Sequence, residues 1–134
     1  MPDRQLSLIC RIFAVMYAAG ALGFALTPRL TFRLVTLDAV PAGYTPQAIF
    51  WNVLAVAMMA AIATACWLTA EAPRERRFLL IPVAVAKLTS SGLAAAHLIR
   101  FHETGARALV AIILTDFPLF LLTVWVHRQA KPSA

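Results

Sequence analysis

Four stretches of this sequence are each apolar for about the 20 residues that a helix needs to cross ~30 Å of hydrocarbon, and no other feature limits its fold as strongly. They run from Leu6 to Leu26, Ala48 to Leu68, Phe78 to Ile99 and Ala108 to Val126. Inside a bilayer every backbone N–H and C=O must be bonded within the protein, which leaves helices or a closed barrel. A barrel would alternate polar and apolar residues in segments of about ten, and these stretches do not. Composition agrees: 61% of the 134 residues are hydrophobic, 13% are charged and the mean hydropathy is +0.78, whereas soluble domains are ~45–50% apolar. The expected fold is an all-α integral membrane protein, a single domain over residues 1–134 in which four transmembrane helices form an antiparallel bundle. The first span has no small-residue cleavage pattern after it, so the reading is a retained helix and not a removed signal peptide.

The connections carry their own signals. Thr27-Pro28 and Thr45-Pro46 each place a hydroxyl at a helix N-cap and a proline at the first helical position, where its missing N–H costs nothing. The second opens span two. The first opens PRLTFRLVTLD, where Leu30, Leu34 and Leu37 share one face and Arg29, Arg33 and Thr36 another, the pattern of a short interfacial helix between helices 1 and 2. An ordered polar loop is the alternative. TAEAPRERR and RFHETGAR are short, which predicts that spans two to four are consecutive antiparallel neighbours.

Twelve basic against six acidic residues would suit a nucleic-acid partner only with the charges gathered on one face. Here the basic residues lie at span ends, where bilayer headgroups account for them, so no nucleic acid is expected. Arg4, Arg11, Arg74, Arg76, Arg77, Arg128 and Lys131 make seven on one side, against Arg29, Arg33, Arg100 and Arg107, four on the other. This bias predicts a bacterial inner-membrane protein with both termini cytoplasmic. Cys10 and Cys66 form no Cys-x-x-Cys motif and read as apolar-phase thiols. Trp51, Trp67 and Trp125 fall near span ends, as in an interfacial aromatic belt.

Within VAVAKLTSSG, residues 83–92, a lysine interrupts an apolar run. If spans three and four form a hairpin turning near Phe101 and His102, Lys87 precedes the turn by about 14 residues and Asp116 follows it by about 14, so both come to the bilayer midplane. A lone ammonium there costs from ~3 to more than ~10 kcal/mol, and a lone carboxylate a comparable amount. The two are therefore expected to pair, with nitrogen and oxygen about 4 Å apart or less. Lys87, Ser90, Ser91, Ala94 and His97 recur at helical spacing as a polar or small stripe. Asn52 comes part-way along it in depth, and Tyr17 sits near the middle of span one. This polar cluster reads first as helix-packing groups and second as a ligand-holding cavity. Pro82 and Pro118 are expected to bend their helices by freeing the carbonyls of Phe78 and Leu114.

Enzyme signatures are scarce. Haem between helices needs histidines at matching depth on facing helices, which His97, His102 and His127 do not offer. The spacing of His97, His102 and Glu103 matches no familiar zinc pattern. The sequence thus assigns no cofactor, no metal and no catalytic residue. Its leading functional reading is an accessory or interaction subunit of a larger membrane complex, partnered by another membrane protein or by further copies of itself. The alternatives are a small-molecule or lipid binder or carrier using the polar cluster around Lys87 and Asp116, and a membrane enzyme acting on a lipid or isoprenoid.

Overall fold

A computed structural model describes residues 1–36, 46–100 and 106–131. It is helical throughout, with no strand among the described residues. The elements are α1 (Asp3–Leu26), α2 (Pro28–Thr36), α3 (Pro46–Glu71), a 3-10 turn (Arg77–Leu79) leading into α4 (Leu80–Arg100), and α5 (Ala106–Gln129). Four segments are long and apolar enough to cross a membrane: Asp3–Leu26, Ile49–Glu71, Arg77–Arg100 and Arg107–Gln129. The first, second and fourth stretches read from the sequence fall within α1, α3 and α5, and the third, Phe78 to Ile99, begins in the 3-10 turn and continues through α4. Thr45, Leu37 and Asp38, together with Phe101, His102 and Glu103 around the expected hairpin turn, lie outside the described residues.

The helices pack as two pairs, α1 on α3 and α4 on α5. Near one end of the first pair the Ser7 hydroxyl donates to the Ala70 carbonyl at 2.7 Å, and near the other the Asn52 amide donates to the Phe24 carbonyl at 3.0 Å. The start of each helix thus meets the end of the other. In the second pair Lys87 meets Asp116 and His127 meets Arg77, again in reversed order. α3 touches α4 only slightly. The close packing expected of spans two and three is therefore corrected: α3 takes α1 as its partner. The physical reason lies in its small residues. Ala63, Cys66 and Ala70 of α3 are buried with Leu6, Cys10, Phe13 and Ala14 of α1, and small side chains let helices approach when lipid supplies no hydrophobic force between them.

Leu80 and Val83 of α4, Val126 of α5 and Ala130 just beyond α5 complete this core. Cys10 and Cys66 are free thiols within it. At the same end of the molecule Arg74 acts as a clasp. Its guanidinium donates to Asp3 at 2.6 Å and to the carbonyls of Lys131 and Met1 at 2.5 and 3.2 Å. Arg76 pairs with Glu71 at 2.6 Å. Many large apolar side chains lie on the surface. Leu22, Ile49, Val53, Leu93 and Leu114 are exposed, as are all three tryptophans near helix ends.

Two local expectations need correction. Pro28 and Pro46 do open helices, but the Thr27 hydroxyl turns back to the Gly23 carbonyl at 3.1 Å instead of serving α2. Thr27 ends α1, and the Gly23 carbonyl accepts both its backbone N–H at 2.9 Å and its hydroxyl. Pro82 occupies the first turn of α4, directly after the 3-10 turn, where an N–H would be without a helical partner anyway. It accordingly starts a helix and does not bend one, whereas Pro118 lies inside α5. α2 follows α1 after a single residue and touches both α1 and α5. A Cβ added to Gly23 would stand 3.0 Å from the Thr31 hydroxyl, so the approach of α2 to the last turn of α1 depends on a glycine there.

Candidate functional site

Lys87 lies on the buried face of α4, between Val83 and Ser91, and Asp116 lies on α5 two residues before Pro118. The ammonium is 2.9 Å from Asp116 Oδ1, and the two side chains are 8% and 15% exposed. This is the length of a charge-assisted hydrogen bond, and it meets the expectation from hairpin depth. The Ser90 hydroxyl donates to the second carboxylate oxygen and also lies 3.2 Å from the Lys87 carbonyl. On the other side the ammonium sits over the Tyr17 ring, 4.9 Å from its centroid, within cation–π range. Tyr17 is itself buried, on α1. The pair thereby links α4 to α5 through charge and to α1 through a ring face.

The other residues read from the sequence divide between this pair and separate places. Ser91 is buried, and its hydroxyl returns to the Lys87 carbonyl at 2.8 Å, a bond within its own helix. Ala94 is buried one turn further on. His97 is exposed, some 15 Å along the helix from Lys87 at ~1.5 Å per residue, with Nδ1 2.9 Å from the Leu93 carbonyl. The polar stripe is thus a buried site at its Lys87 end and an exposed face at its His97 end. Asn52 is buried, and its amide contacts the α1 backbone at Phe24. Its Oδ1 has no hydrogen-bond partner among the described residues.

Chemically the cluster is balanced. One ammonium faces one carboxylate, a hydroxyl supports the carboxylate and an aromatic face supports the ammonium. With its charge already matched, Lys87 presents no net positive charge to an anion. Among the described residues no group of three metal-ligating side chains is present. Sequence reasoning missed the Arg74 clasp, because an arginine in a polar connection reads only as a headgroup contact. The Asp3 and Arg74 charges lie far apart in the chain, and only helix packing brings them together. No family model, no curated protein and no solved structure matches this chain.

Proposed function

We propose that this chain is an integral protein of a bacterial inner membrane, a single domain whose four long helices cross the bilayer as an antiparallel bundle, with α2 lying in the interface. Its role is that of an accessory or interaction subunit of a larger membrane assembly. One observation carries this reading: two buried charges within the apolar helices, Lys87 and Asp116, satisfy each other at 2.9 Å, with Ser90 and Tyr17 completing the cluster. Such a pair fixes the register of α4 against α5 and orients both against α1, the best-attested use of buried charge. The exposed apolar faces then meet lipid or the partner. Purification of the native protein in mild detergent should recover a larger membrane protein, or further copies of this chain, in fixed ratio. A protein that purifies alone and carries a small molecule released by Lys87→Met would overturn the subunit role.

The membrane orientation has a separate test. Seven basic residues against four favour cytoplasmic termini, and the Arg74 clasp, which brings Met1 and Lys131 to one end, supports placing both on one side. Reporter fusions at Ala134 are expected to be active only as cytoplasmic reporters, and fusions between Asp38 and Tyr44 only as periplasmic ones. The reverse pattern would invert the protein.

The binder reading stands second. It is favoured by the greater exposure of Asp116 than of Lys87, which leaves the carboxylate the more accessible partner.

A further inference from the structure

Two hollows differ in what they could hold. The larger, about 500 Å³, is lined by Arg4, Arg11 and Arg74 and equally by Asp3, Glu71 and Glu75. Three carboxylates against three guanidiniums leave no net positive charge for an anion there. The smaller, about 210 Å³, is a groove between α4 and α5 with no acidic residue in its lining. Its walls include Ala84 and Leu88 of α4 and Phe120 and Val124 of α5, and one end is formed by His127 and Arg128. His127 is held in place, since the Arg77 carbonyl can only accept and Nδ1 must donate to it at 3.0 Å. Arg128 is exposed and permanently charged.

The dimensions match one leaflet. From Leu80 to Leu88 the helix rises about 12 Å, close to half of the ~30 Å hydrocarbon thickness. The deep end lies beside Lys87, at the proposed midplane, and the other end lies where the basic residues place the headgroups. Ala84, a small side chain among larger ones, leaves the gap. We propose that this groove holds an acyl chain of an anionic phospholipid whose phosphodiester is met by Arg128. The inference rests on the membrane-spanning part of the proposed function and is independent of the subunit role.

The test uses the full chain. After insertion into vesicles is checked by flotation, the protein is transferred to detergent containing equal amounts of phosphatidylglycerol and phosphatidylcholine with identical acyl chains, and bound lipid is read by native mass spectrometry. Phosphatidylglycerol should be enriched about fivefold, equivalent to the ~1 kcal/mol that a basic residue contributes against an anionic headgroup. Arg128→Gln should abolish the enrichment while keeping lipid bound, and Ala84→Leu should reduce bound lipid of both kinds. Excess inorganic phosphate should not compete, because the chain supplies much of the binding. Equal binding of the two lipids by the unaltered protein, enrichment that survives Arg128→Gln, undiminished bound lipid in Ala84→Leu, or full competition by phosphate would each overturn the proposal. Failure to float with vesicles would overturn the membrane reading and this site with it.

Discussion

Lys87→Met is expected to destabilise the protein by about 3 kcal/mol, and Lys87→Met combined with Asp116→Leu to restore most of that loss. The asymmetry follows from burial. With the ammonium gone, a carboxylate that is 15% exposed keeps one serine hydroxyl and loses its counter-charge, and breaking a buried pair from one side typically costs ~3–5 kcal/mol. The remaining Ser90 hydrogen bond and the partial exposure of the carboxylate set the expectation near the lower figure. Removing both charges leaves no ion to desolvate, so the double variant should lie within about 1 kcal/mol of the parent, and well-packed apolar replacements of buried pairs are often neutral. Unfolding in mixed detergent micelles measures both. Equal destabilisation by the single and double variants would show that the two side chains do not act as a pair. In the subunit reading the double variant also keeps its partner. A well-folded double variant that no longer assembles would assign Lys87 more than a packing role.

Asn52→Asp should be nearly as harmful and Asn52→Leu nearly harmless. The Asn52 amide donates to the Phe24 carbonyl at 3.0 Å in a buried setting. Aspartate removes the donor and sets an acceptor against that carbonyl, and a carboxylate within an apolar helix costs about 3 kcal/mol. Leucine forfeits the same hydrogen bond, but it also removes an acceptor, Oδ1, that has no partner among the described residues. The two effects offset each other, and a change within about 1 kcal/mol is expected. The same unfolding measurement decides it. An aspartate variant as stable as the parent would mean that this side chain is not held against α1.

The two sites differ in how far sequence could reveal them. Lys87 and Asp116 were legible because a hairpin converts distance from its turn into depth, and because a charge within a long apolar run has few tolerable partners. The four long helices were legible for a related reason: a bilayer fixes their length. The partnership of α1 with α3 was not, since the rule that consecutive spans pack together favoured α3 with α4, and the choice was made by small residues such as Ala63, Cys66 and Ala70 fitting against Phe13 and Ala14. The contact of Asn52 with a backbone carbonyl leaves no trace in side-chain chemistry at the receiving position. His97 shared the helical spacing of Ser90 and Ser91 and yet is exposed, because spacing defines a face but not how far along that face the neighbouring helix covers it. Thr27 shows the same limit at one residue. A hydroxyl between two helices can serve either, and only the local geometry selected the Gly23 carbonyl.

The pairing of Lys87 with Asp116 also sets a schedule for synthesis. The two residues are 29 positions apart in the chain, and ribosomes add ~5–20 residues per second, so Lys87 exists for roughly one to six seconds before its counter-charge has been made. Over that interval the ammonium of a newly made α4 has no counter-charge from α5. Either the insertion machinery retains it, or the ammonium keeps a water-filled route to one surface, until α5 arrives. α4 and α5 are therefore expected to leave the translocation channel together, as one hairpin, and α1, which meets its partner only when α3 has been synthesised, to wait in the bilayer alone.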